Sequence, residues 1–123
     1  IVLDFGCGNG DFLYKSQNIL KKGIGIDLGF AGKKHSDNKK INFLKKINQI
    51  NDLDFKFDSI FLFHIFEHLV NPIEVLTQLQ SKLKKNGNLI FPIIGLSNRK
   101  KIIEFMDAKN LILIIQLYGM INL

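Results

Sequence analysis

Three glycines at alternate positions, Gly6, Gly8 and Gly10, follow directly on a short apolar run, Ile1-Val2-Leu3, and the acid Asp4. A strand that enters such a turn can bend sharply and bring backbone N–H groups close to a ligand, since no Cβ stands in the way. The spacing narrows the choice of ligand. The dinucleotide fingerprint is G-x-G-x-x-G, with its third glycine packing helix on strand beside a pyrophosphate. Here the third glycine comes one residue early, and Asp11 opens the segment that follows. An acid there repels a pyrophosphate and suits a cationic ligand, so a nicotinamide-dependent oxidoreductase is disfavoured. Asp27 closes the next apolar run, Gly23-Ile24-Gly25-Ile26. An acid at that strand tip can accept two hydrogen bonds from a ribose diol. The bland alternative is a solvated turn aspartate.

The stretch Ile1-Val2-Leu3-Asp4-Phe5-Gly6-Cys7-Gly8-Asn9-Gly10 resembles motif I of the class I S-adenosylmethionine-dependent methyltransferases, V-L-D-x-G-C-G-x-G. That cofactor carries a sulfonium and an ammonium and no phosphate, in keeping with the acids. The resemblance continues in Phe57-Asp58-Ser59-Ile60 with Phe66-Glu67-His68-Leu69, and in Leu83-Lys84-Lys85-Asn86-Gly87-Asn88-Leu89-Ile90, where Asn86 and Asn88 replace the usual proline and second glycine. Residues 103–111 resemble the family's last helix entering strand six. The resemblance implies S-adenosyl-L-methionine as cofactor, bound by Asp4, Gly6, Cys7, Gly8, Gly10, Asp27, Leu28, Asn48 and His64. Asp4 would orient the glycine loop or reach the cofactor's amino group. The family's usual acid for the adenine amino group falls near Lys46–Asn48, where there is none, so Asn48, Asn51 or Asp52 is expected to serve. Family members also have a helix before strand one and a strand seven hairpinned to strand six. Neither is visible, and the chain reads as a partial methyltransferase domain, 1–123, trimmed at both ends.

His64 is expected near the tip of strand four, as a general base for a hydroxyl nucleophile, a pocket residue or a structural histidine. His64-Ile65-Phe66-Glu67-His68 also spells the H-x-x-E-H of inverted zincins. That motif needs one continuous helix, whereas Asn71-Pro72 starts a new helix just beyond, so no metal is expected. Cys7 has no partner base in the sequence that would make it a nucleophile. Methyl transfer asks mainly for collinear, desolvated placement, so the lack of a triad does not argue against an enzyme. The tetrapeptide N-P-P-Y is absent, which disfavours nucleobase or glutamine nitrogen, and the E-H-L-x-x-P form points to a small-molecule, lipid or sugar acceptor. The alternative is a non-catalytic, degenerate cofactor-binding module.

The elements that must place these residues alternate between strand and helix, giving an α/β fold. A three-layer, Rossmann-like sandwich with a mostly parallel sheet is expected. Strands are expected at Ile1–Phe5, Gly23–Asp27, Ile41–Leu44, Phe57–Phe63, Leu89–Ile94 and Leu111–Leu117. Helices are expected from Asp11 to about Lys22, from Pro72 past Leu83 with Asn71 as N-cap, Lys84-Lys85 at the C-terminus and Gly87 as left-handed C-cap, and over Arg99–Lys109. Residues 29–40 leave room for a short helix only, and 48–56 read as a loop.

With 46% apolar residues among 123, the chain can build one core. No apolar run reaches the ~18 residues that span a bilayer. The single cysteine excludes an internal disulfide and suits a cytoplasmic location. The net charge of +6 comes from lysine pairs, with Arg99 the only arginine. Readers of nucleic acid favour arginine, so these lysines are expected to be solvated faces, and nucleic acid is disfavoured as a partner.

Overall fold

The computed structural model describes residues 1–27, 29, 33–63, 65, 68–91, 99–109 and 113–114. Six strands form one sheet in the order β3-β2-β1-β4-β5-β6, and every neighbouring pair is parallel. They are β1 Val2–Phe5, β2 Gly23–Ile26, β3 Ile41–Leu44, β4 Phe57–Phe61, β5 Leu83–Ile90 and β6 Leu113–Ile114. The helices are α1 Asp11–Lys15, α2 Pro72–Gln80 and α3 Arg99–Ala108, with 3₁₀ turns at Lys33–His35 and Ile47–Asp52. A parallel sheet buries both faces, and β2, apolar and buried at all four positions, obeys that demand.

Strand alternation sends Leu3 and Asp4 to opposite faces. On the Leu3 face, Leu3, Phe5, Ile24, Ile26, Ile60, Leu62 and Leu89 join Leu76 and Leu79 of α2 and Ile102 and Met106 of α3 in one buried cluster. On the Asp4 face lies α1. Its Phe12 meets Phe61 edge-on at 4.9 Å between centroids, and Phe61 is the register partner of Asp4. These are the three expected layers.

Several boundaries differ from the sequence reading. The helix after the glycine loop stops at Lys15, and Ser16–Ile19 fold as hydrogen-bonded turns. Ile47–Asp52, read as loop, is a 3₁₀ helix that buries Ile50. Strand four ends at Phe61, although the Leu62 N–H still donates to the Ile90 carbonyl at 2.9 Å. α2 ends at Gln80, and Leu83, Lys84 and Lys85 belong to β5. Gly87 is therefore no helix cap. Asn86 takes the left-handed backbone instead, at φ 65°. Gly87 is needed for close approach, since a Cβ there would lie 2.9 Å from the Lys84 carbonyl oxygen. The ladder steps from Phe57↔Leu83 to Ser59↔Asn88, so β5 carries a wide bulge opposite Asp58. The expected continuation of strand five through Ile94 lies outside the described residues, as do the ends of strand six.

Candidate cofactor site

The glycine loop is fastened to the end of β2. The N–H groups of Gly6 and Cys7 both donate to the Ile26 carbonyl, at 2.7 and 3.0 Å, and the Gly10 N–H donates to the Cys7 carbonyl at 2.9 Å. All three glycines hold positive φ, 85°, 53° and 82°. Two of them are also demanded by protein packing. A Cβ on Gly6 would fall 2.8 Å from Ile65 Cβ, and one on Gly10 would fall 2.6 Å from Phe43 Cζ. Among the described residues, a Cβ on Gly8 would meet no atom within 4 Å. The middle glycine thus faces open space at the turn.

Asp27 stands beside that space. Its Oδ2 accepts from the Gly8 N–H and its Oδ1 from the Gly29 N–H, both at 2.9 Å. The carboxylate therefore spans the turns after β1 and β2. Each oxygen keeps a further lone pair, so two ligand hydroxyls can still be accepted.

Asp4 lies beneath the loop at 3% exposure, with Gly25 and Phe61 as its register neighbours. Its Oδ1 is buried and meets no hydrogen-bond partner among the described residues. Burial first, and the charge of Asp27 second, push its carboxyl up to about 7. Burial, reinforced by Asp4 and Asp27, pushes the Cys7 thiol up to about 12. Cys7 is therefore a protonated, packed thiol, consistent with a role other than nucleophile.

Asp11 points elsewhere than to a cationic ligand. Its Oδ1 lies 2.7 Å from His35 Nε2 and accepts from Lys34 Nζ at 3.4 Å. The His35 hydrogen bond, then Lys34, holds its carboxyl below the usual range. Tyr14 stacks on His35 at 4.2 Å and 11°. Asp11 and Tyr14 together clasp the start of α1 to the 33–38 segment. Of the adenine candidates, Asn48, Asn51 and Asp52 are all exposed on the 3₁₀ turn after β3. Gln49 organises that turn, its Oε1 accepting from the N–H groups of Lys45 and Lys46 at 2.9 Å each. Leu28 and His64 lie outside the described residues, and of the His-x-x-Glu-His run only Ile65 and His68 lie within them.

The sequence reading missed His35, Phe43 and the aromatic group of Phe12, Phe61 and Phe63. Position 43 carried a usable signal, because it shares a strand face with the buried Ile41, opposite the exposed Asn42, on the short strand expected at Ile41–Leu44.

The sequence matches the profile of a methyltransferase domain over residues 1–119. The chain belongs to the class I S-adenosylmethionine-dependent methyltransferase family. It is similar to the tRNA U34 carboxymethyltransferase of Campylobacter hominis, at 30% identity over 85% of this chain and 39% of that protein. Its counterpart in Campylobacter fetus is 32% identical over 72% and 34%. The methyltransferase chain thus spans well under half the length of these curated relatives. Among solved structures, the plantazolicin methyltransferase BpumL, in complex with S-adenosylhomocysteine, superposes with a TM-score of 0.59 at 30% identity, over 72% of this chain and 36% of that one. The precorrin-8w decarboxylase of Methanobacterium thermoautotrophicum, at 16% identity and a TM-score of 0.67 over 88% and 61%, shares the fold.

S-adenosylmethionine is the cofactor of this family. The residues present fit it on two observations: the unobstructed space over Gly8, and the buried, unpartnered Asp4 oxygen beside a carboxylate already fixed at the tip of β2.

Proposed function

We propose that this domain binds S-adenosylmethionine over the Gly6–Gly10 loop and serves methyl transfer to a nucleotide of an RNA acceptor. The observation that carries the cofactor half is the Asp27 carboxylate, held between the Gly8 and Gly29 amides with lone pairs to spare. In this reading Asp27 accepts from both ribose hydroxyls. Gly8 lets the backbone approach the ligand, and Gly6, Cys7 and Gly10 shape the turn. Asp4 faces the cationic amino-acid end, and Asn48 with Leu28 borders the adenine. Bound S-adenosylmethionine supplies an activated methyl group on a good leaving group. The protein's part is to fix the donor, exclude water and leave an in-line approach for the acceptor. His64 keeps its role as candidate base.

The group carried is read as methyl. A carboxymethyl donor would bring a carboxylate near Asp4 and Asp27, and among the described residues no lysine or arginine pairs with either acid. For the acceptor, the relatives' names weigh against the small-molecule, lipid or sugar class drawn from the strand-four motif. Titration calorimetry with S-adenosylhomocysteine tests the cofactor half. Saturable binding is expected, weakened at least about tenfold in Asp27→Ala, because two charge-assisted hydrogen bonds are removed. A folded wild type without binding overturns it and leaves a degenerate module. Transfer of labelled methyl from the cofactor to tRNA, against a panel of metabolites, lipids and glycans, tests the acceptor.

A further inference from the structure

The charge of the chain is unevenly placed. Residues 11–47 hold Lys15, Lys21, Lys22, Lys33, Lys34, Lys39, Lys40, Lys45 and Lys46 against Asp11, Asp27 and Asp37. The whole net charge of +6 therefore belongs to this stretch, and the remainder of the chain balances to zero. The fold gathers the stretch on one side, because among the described strands β3 is at the edge and pairs with β2 alone. Lys39 and Lys40 precede β3, and Lys45 and Lys46 follow it, so exposed lysines stand at both ends of an edge about 13 Å long. Lysine along an edge strand also guards against edge-to-edge pairing. That role explains the positions beside β3. It does not explain Lys15, Lys21 and Lys34, which are exposed on and around the neighbouring helix.

Within this face lies an open groove of about 740 Å³, bordered by Tyr14, by Lys15 and Lys34, by the amides Gln17 and Asn38, and by the acids Asp11 and Asp37, so that the charge which meets phosphate comes from the lysines around it. Tyr14 has one face against His35 yet remains 43% exposed. Lysine, amide side chains and a partly open aromatic ring are what a single-stranded nucleic acid meets on its binding platforms. A membrane surface would call for an apolar wedge, and among the described residues Ile19 is the one large aliphatic side chain exposed in this stretch.

We propose that the β3-edge face of residues 11–47 docks the phosphate backbone of RNA, with an unpaired base resting on Tyr14 in the groove. The inference rests on the RNA-acceptor reading and assigns to it a surface that adjoins the cofactor site, since His35 in the groove lies 3.8 Å from where a Cβ on Gly10 would stand. Lysine meets phosphate as a point charge and lacks arginine's bidentate geometry, so this face grips RNA without reading its sequence. The lysine-rich, arginine-poor composition, from which nucleic acid was disfavoured as a partner, is compatible with a grip that does not read bases.

The test is fluorescence anisotropy with a labelled tRNA transcript between about 50 and 200 mM salt, with S-adenosylhomocysteine calorimetry run in parallel on each variant. Expected is steeply salt-dependent binding. The double variant Lys39→Glu/Lys45→Glu weakens it at least about tenfold and lowers the salt slope by about two, while Lys100→Glu/Lys101→Glu on α3 leaves it unchanged. Tyr14→Ala weakens a labelled oligouridine severalfold and a duplex RNA hardly at all. Cofactor binding persists in all these variants, which shows them folded. The inference is overturned if the wild type binds the cofactor but not tRNA, if both double variants lose tRNA equally, or if phosphatidylserine vesicles are bound in place of tRNA. Retained tRNA binding with no cofactor binding upholds this surface and rejects the cofactor reading alone.

Discussion

Gly8 and Gly10 look alike in sequence and differ in what they do. At Gly10 a Cβ strikes the Phe43 ring as well as demanding a left-handed backbone; at Gly8 only the backbone objects. Gly10→Ala is therefore expected to destabilise the fold by about 2–4 kcal/mol, as overpacking adds to the left-handed penalty. Gly8→Ala should cost only about 1 kcal/mol yet weaken S-adenosylhomocysteine, because its new methyl enters the ligand's space. Urea melts and calorimetry on the same two variants separate the effects. Asp4 gives a pH signature. Its carboxyl titrates near 7 in the folded chain against 3.8 ordinarily, so the folded state holds the proton more tightly. Its contribution to stability is full below about pH 4 and is lost as pH rises through about 7, a swing on the order of a few kcal/mol. Asp4→Asn should flatten that part of the pH–stability curve. A ligand ammonium beside Asp4 favours the ionised form, so S-adenosylhomocysteine binding below pH 7 should release a proton, read from enthalpies in buffers of different ionisation heat.

At the level of elements, α1 is too short to hold itself and depends on neighbours. Its clasp to the 33–38 segment runs through Asp11, His35 and Tyr14. Asp11→Ala should leave the melting temperature almost unchanged, since the carboxylate is solvated. It should make the bonds after Lys34, Lys39 and Lys40 more open to limited trypsin digestion. The order of strands and helices was readable from apolar runs, and the glycine loop with Asp27 from spacing. The shortness of α1 was not, because Ile19, which lies inside the helix expected from Asp11 to about Lys22, stands 86% exposed after the turn at Ser16. The cap assigned to Gly87 failed because glycine serves close approach as readily as left-handed backbone, and only the bulge beside β4 tells the two apart. Phe43 and His35 were hidden for another reason. Each meets the glycine loop or α1 from more than 20 positions away, and periodicity carries no information at that range.

For the molecule as a whole, the lysine-rich side has an energetic cost when nothing covers it. Like charges confined to residues 11–47 repel across short distances, and salt screens them within about 10 Å at 0.1 M. The melting temperature should accordingly rise between low salt and about 0.2 M, and the Lys39→Glu/Lys45→Glu variant should show a smaller rise in the same scan. The sheet order has a temporal meaning too. β1, which leads into the cofactor loop, pairs with β2 on one side and with β4 on the other, Val2 meeting both Gly23 and Ser59. Synthesis makes this loop before β2, yet its strand stays half-paired until residues 57–61 arrive. Parallel pairings across such separations close slowly. The site is thus written early and finished late. A ligand that needs the finished site should leave the refolding rate nearly untouched and lengthen the life of the folded protein instead.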